Sequence, residues 1–180
     1  AGSRDYYRLS GSAASDSVAL SAQTTRYGGY QDASGYDQQK ATLRIDHDWQ
    51  GWRVEGLLEG SNLNQETAGY IRGFEAYEDD DAREENPNPE AYRDAWTARG
   101  YLGFTRDWGT NAEVTLRPYW RSNSMTFLQH YLPWKATESN RHRSLGLQAV
   151  ARGQRDRLTW LAGVDIDHTE GALLEVQELS

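Results

Sequence analysis

The 180-residue sequence predicts an all-β fold, an antiparallel meander of about eight strands, and three observations carry that prediction. Apolar and polar residues alternate with period two in eight segments; helical periodicity is absent over any comparable window; Gly, Asp, Asn and Ser clusters punctuate the segments. The predicted strands are 4–10, 17–26, 38–48, 52–64, 93–106, 111–123, 141–152 and 157–169.

Taken in order, the first two strands flank "SGSAASDS" (10–17), a small, polar stretch that by count belongs with the short turns. Strands 38–48 and 52–64 meet at "WQGW" (49–52), strands 93–106 and 111–123 at "DWGTN" (107–111), and strands 141–152 and 157–169 at "GQRD" (153–156). The intervening connections, 27–37, 65–92 and 124–140, are long and polar, so one end of the sheet carries short turns and the other everything variable. "PNPEAYRDAW" has an acidic, Pro-flanked start that permits one short helical turn. Pro118 cannot donate to a ladder, which predicts a bulge there or a position above the apolar band.

The two faces differ in chemistry. Across the six clearest strands one phase, from Ala41 to Trp49, Trp52 to Gly60, Trp96 to Phe104, Ala112 to Trp120, Leu145 to Ala151 and Leu158 to Ile166, has 29 positions and no charge. The 24 positions between them hold ten charges, including Arg44, Asp46, Arg53, Glu55, Arg99, Glu113 and Arg117, which can pair across neighbouring strands. A soluble sheet with its apolar face on a core shows the same alternation. Tryptophan placement points to lipid instead. Trp49, Trp52, Trp108 and Trp160 lie near the short turns, Trp96 and Trp120 near the long connections, and Trp134 in a loop. Rings at two levels are what two membrane interfaces select, and Trp96 and Trp108 differ in height by about 30 Å for strands tilted near 40°.

Composition narrows the classes further. No run of 18 apolar residues exists, which excludes a transmembrane helix and says nothing against transmembrane strands. With 27 acidic against 19 basic side chains and no basic stripe, nucleic acid is not an expected partner. The absence of cysteine rules out disulfides, thiolate metal sites and a cysteine nucleophile. The chain opens at Ala1 without a charged, apolar leader, which leaves both a processed signal peptide and a longer parent open.

"TTRYGGYQDASGYDQQKATLRIDHDW", "NPNPEAYRDAWTARGYLGFTRDWG", "RPYWRSNSMTFLQHYLPW" and "LTWLAGVDIDHTEGAL" together resemble the first part of the barrel of TonB-dependent outer-membrane receptors. The likeness covers nearly the whole chain and lies in strand texture and phrases rather than in an invariant motif. It implies a partial receptor barrel over 1–180, about eight strands of a transmembrane β-barrel of 22, in the outer membrane of a Gram-negative cell. It further implies uptake of a scarce ligand, most often a ferric siderophore, powered through TonB, with outer-membrane lipid around the wall and neither a cofactor nor catalysis. The family's energy-coupling box, plug and terminal aromatic are not in the chain, which stops at "VQELS". From the residues alone, a small closed barrel of eight strands is the other form such a meander takes.

Candidate ligand contacts sit at the long-connection end. Tyr27, Tyr30 and Tyr36 offer aromatic faces beside permissive glycines, and Arg26 and Arg121 offer positive charge to a catecholate or other anionic ligand. Tyr131 and Trp134 belong to "FLQHYLPW" (127–134), an apolar segment able to fold over the mouth or pack on neighbouring loops. The run "EAYEDDDAREENPNPE" is a solvated acidic loop in which Asp79, Asp80 and Asp81 are candidate ligands for a hard cation bridging to phosphorylated lipid. Two other readings follow from other residues: a small outer-membrane hydrolase using Asp165, Asp167 and His168, with Ser144 after His142 as a second suspect, and a soluble β-sandwich binding carbohydrate through exposed aromatics.

Overall fold

The computed structural model describes residues 3–177, which form one antiparallel sheet of eight strands in sequential order. The strands are β1 (Tyr7–Ala14), β2 (Val18–Tyr27), β3 (Tyr36–Trp49), β4 (Trp52–Glu66), β5 (Tyr92–Asp107), β6 (Ala112–Leu128), β7 (Thr137–Arg155) and β8 (Leu158–Val176). The predicted meander is therefore the observed one; Gln177 follows β8, and the last three residues of "VQELS" lie outside the described residues.

Turn chemistry explains the short connections. Gln50 and Gly51 both have positive φ (51° and 79°), the arrangement of a two-residue hairpin loop whose twist matches that of its strands. Several boundaries differ from those the alternation predicts: β1 begins at Tyr7 rather than at 4, where Ser3–Asp5 form a 3-10 turn, and β8 runs on to Val176 rather than ending at 169. Ser10–Ala14 belong to β1 rather than to a turn, the β7–β8 turn is Asp156–Arg157 rather than 153–156, and β6 and β7 run on to Leu128 and from Thr137. Polar strand continues there beyond the apolar band, so period-two contrast fades before pairing does. The short helix α1 is Asp80–Glu84, not within "PNPEAYRDAW", because Asp79 caps it by accepting from the Asp81 and Ala82 amides.

Pro118 makes no bulge. The β5–β6 ladder lapses between Tyr101–Tyr119 and Phe104–Leu116 and resumes in the same register, while Pro118 pairs with Leu147 of β7 without interruption. The missing donor thus costs a local gap on one side rather than a kink. Trp120, predicted near a long connection, sits mid-strand opposite Gly100 and Leu145 for the same reason that β6 is long.

Register joins the apolar phases into one face. Val18 lies beside Ile45, Ile45 beside Gly56, Gly56 beside Leu102 and Leu147 beside Ile166, so a slip of one residue anywhere would turn a strand's apolar set to the charged side. That face is not covered. Among the described residues only Ala91 and Ala136 are buried apolar side chains, both outside the strands, whereas Leu145 is 58 %, Val164 58 % and Ile166 63 % exposed. The described residues form one layer, with no second sheet or helix layer against it.

The strand ends are staggered. Measured from the row through Val18, Ile45, Gly56 and Ile166, the last pairs before the four short turns (Ala14–Ala19, Trp49–Trp52, Asp107–Glu113, Arg155–Leu158) lie one residue above, then four, five and eight below. At roughly 3.3 Å per residue and 4.8 Å between strands, nine residues over six strand spacings correspond to an angle of about 45°. If the short turns share a plane, that angle is the tilt of the strands from its normal. The long-connection ends are level along the strands, nine or ten residues above the row.

Candidate functional site

The long connections are bound to one another. The β2–β3 loop (28–35) and the β4–β5 loop (67–91) meet through Asp32 N–H donating to the Glu84 carbonyl (2.8 Å) and Gln31 Nε2 donating to the Glu85 carbonyl (2.8 Å). Asn86, 8 % exposed, is the hub: its Nδ2 donates to the Ala33 carbonyl (2.9 Å), and its Oδ1 accepts from the Gly69 and Asn88 amides (3.3 and 2.9 Å). Arg4 reaches in from the chain before β1, its guanidinium 3.9 Å from the Tyr30 ring centroid and 3.0 Å from Glu84. Gly29 has φ +91° and packs against Ser34 so closely that a Cβ would overlap it, so the loop turns where only glycine fits. The β6–β7 loop (129–136) is tied to the β4–β5 loop by Lys135 donating to Glu90. That hydrogen bond and charge hold the Glu90 carboxyl below its usual range.

These loops gather only some of the candidate ligand contacts. Tyr27 and Tyr36 face each other at the end of the β2–β3 hairpin with ring centroids 5.9 Å apart, and Tyr6 joins them edge-on at 6.3 Å. Tyr30 is occupied by Arg4. Arg26 pairs with Asp37 in the ladder and points to the side opposite Tyr27, since successive residues of a strand alternate. Arg121 lies mid-strand on the charged face, its Nε donating to Ser144 Oγ (3.0 Å) and its Nη2 3.6 Å from Asp167. Tyr131 (67 % exposed) and Trp134 (48 %) stand on the β6–β7 loop. The seven residues do not converge on one pocket. Asp79, Asp80 and Asp81 do not converge on a cation either: Asp79 caps α1, Asp80 pairs with Arg83 at 2.9 Å, and no group of three ligating side chains comes together among the described residues.

Below the loops the charged face is cross-linked. Arg53 and Arg152 both pair with Glu113 (3.7 and 2.8 Å), Arg99 pairs with Glu59, and Arg117 with Glu55. Arg44 and Asp46, predicted to join these pairs, make no ion pair among the described residues. The Arg117–Glu55 pair spans β4 to β6 across β5, where Gly103 leaves the gap; a Cβ there would come within 2.7 Å of Glu55 Cγ. The same device recurs one strand on. Tyr119 lies over Gly146 of β7 to reach β8, where its hydroxyl meets Asp167 Oδ2 at 2.8 Å and Asp165 Oδ1 at 3.2 Å. Interior glycines between charged neighbours signal such close approach, and sequence reasoning missed them, as it missed Arg4 and Tyr6. Asp165 and Asp167 share the charged face, while His168 points to the apolar side with Glu170, so the acid and imidazole of a hydrolytic pair stand apart. Ser144 is 1 % exposed and bonded to Arg121 and Thr169.

No protein-family model matches the chain, and no curated protein matches it.

Proposed function

We propose that the chain is a stretch of the wall of a 22-stranded TonB-dependent receptor in the outer membrane of a Gram-negative cell. In this reading it takes up a scarce ligand, a ferric siderophore first among candidates, without catalysing a reaction. The supporting observation is a single-layer sheet whose register-aligned apolar face is open while its reverse is knit by ion pairs. Such a face in water is an aggregation hazard, whereas acyl chains cover it without a second protein layer. The 45° stagger agrees with strand tilt in membrane barrels, about 35–45°, and the uncharged phase runs over segments of seven to nine residues in each clear strand, close to the span such a tilt needs. The charged face would then look into the barrel toward a plug, and TonB would act through that missing region. A soluble sandwich would need a second sheet on the apolar face, and a hydrolase would need a base beside its acid.

The chain has no cysteine, so single cysteines carry spin labels cleanly. Labels at Val164 and Asp165 of the protein in bilayers should collide preferentially with oxygen and with a water-soluble nickel complex, respectively. A label at Val164 shielded from both reagents, as in a packed core, would sink the membrane reading. Loss of radiolabelled ferric siderophore uptake in Tyr27→Ala/Tyr36→Ala checks the ligand assignment.

A further inference from the structure

We propose that the outer side of β3–β7 binds a phosphorylated membrane lipid, its acyl chain in an apolar trough and its phosphate on Arg141 and Arg143. This rests on the membrane reading above. Two independent features meet there. The first is a trough of about 440 Å³ whose floor is Gly56 and Gly100 and whose walls are Leu43, Ile45, Leu58, Leu102, Trp120 and Leu145. Glycine opens the floor: Gly56 and Gly100, on adjacent strands, put no side chain on this face. The second is the arginine pair. Arg141 and Arg143 alternate onto the same side as Leu145, pair with Ser124 and Ser122 across β6, and are exposed. Among the described residues neither makes an ion pair, in contrast to Arg53, Arg99, Arg117, Arg121 and Arg152 on the opposite face. Glu170 neighbours Arg143 across β8 but is engaged by His168 at 3.5 Å.

Height puts the two features in the order a lipid requires. With the strands tilted about 45°, Arg143 and Arg141 stand about 24 and 29 Å above the plane of the short turns, at the upper edge of an apolar band about 25 Å tall. Leu145 and Trp120 lie one row lower, at about 16–20 Å, and Gly56 at about 5 Å. A chain lying in the trough therefore carries its headgroup up to the guanidinium forks. These match phosphate oxygens in a paired geometry that a zwitterionic headgroup, with its own cation, satisfies less well.

The test uses the full chain reconstituted in dioleoylphosphatidylcholine vesicles containing either brominated phosphatidic acid or brominated phosphatidylcholine. Quenching of Trp120 is isolated as the difference from Trp120→Phe. The wild type should favour the phosphatidic acid about tenfold at this ring, and Arg141→Ser/Arg143→Ser should fall to no preference. Arg141→Lys/Arg143→Lys keeps the charge but not the fork and should keep a preference intermediate between the wild type and the serine variant, which guards against a folding defect. Gly56→Leu, whose Cβ meets the movable end of Leu102 at 3.1 Å and the Ile45 side chain at ordinary contact distance, should lower quenching by both lipids together. Excess inorganic phosphate should leave the preference intact; its loss would make free phosphate the ligand and overturn a lipid source. Equal quenching by both lipids in the wild type overturns the site and spares the membrane reading, whereas no quenching by either overturns both.

Discussion

Arginine at position 147 isolates the lipid contribution. Leu147 stands on the apolar side between Pro118 and Ile166, about 15 Å above the short-turn plane for strands tilted about 45°, close to the middle of a 25 Å band. An arginine at the midplane of a membrane barrel costs about 2–4 kcal/mol, so Leu147→Arg should lower the folding equilibrium constant by roughly 30- to 700-fold. Gln148, one residue on, faces the other way and donates to Asp165 at 2.8 Å. Gln148→Arg places a cation beside that carboxylate and should change stability by no more than about 0.5 kcal/mol. Ser122→Arg, on the apolar side but about 21 Å up, should cost about 0–1 kcal/mol. Equilibrium unfolding in urea from phosphatidylcholine vesicles, followed by tryptophan emission, measures all three. The depth profile is the signature, because a packed protein core penalises arginine without regard to height. Equal losses at 147 and 122, or a tolerated Leu147→Arg, would refute the assignment of lipid to that side.

Four smaller outcomes follow from the loops and turns. Gly51→Ala, at φ 79°, should destabilise the β3–β4 hairpin by about 1 kcal/mol in the same unfolding assay, while Gln50→Asn should gain a few tenths. Asn86→Ala removes three hydrogen bonds from a nearly buried hub and should open the β4–β5 loop to limited proteolysis, a local cost of about 2 kcal/mol. Asp79→Ala uncaps α1 and should raise amide exchange over Asp80–Glu84 by the equivalent of about 1 kcal/mol. The Lys135–Glu90 clasp should depend on pH with a definite sign. The folded carboxyl titrates below its unfolded value near 4.5, so the clasp is at full strength above pH 4.5 and is lost as pH falls through the lower folded value. Both partners are substantially exposed, so the loss should appear as a few tenths of a kcal/mol in exchange of the β6–β7 loop amides.

The strands were legible because each carries alternation long enough to be heard above composition, and the unbroken pairing of β3 with β4 or β7 with β8 matches the phase drawn from residues alone. The upper parts of β6 and β7 were not: Ser124 and Ser139 neighbour residues equally polar, and pairing there is dictated by the ladder below. Candidate contacts suffered from a different cause. Proximity in sequence groups Arg26 with Tyr27, although the period that defines the strand sets them on opposite faces. The latch from Arg4 to Glu84 joins residues 80 apart and depends on which loops the meander brings side by side, which no local pattern encodes. The reaches over Gly103 and Gly146 are intermediate, visible as glycines amid charge yet silent about the partner.

If the short turns share a plane, strands that end level along their own axes lean by about 45° from its normal, and their rim slopes like a ramp. The β2–β3 loop is its foot, about 20 Å above the short turns, and the β6–β7 loop its crest, about 36 Å above them. Tyr27 and Tyr36 at the foot are thus four strand spacings, about 19 Å, from Tyr131 and Trp134 at the crest. A molecule the size of a single chelate touches one group or the other, and only a folding inward of the crest would let it touch both.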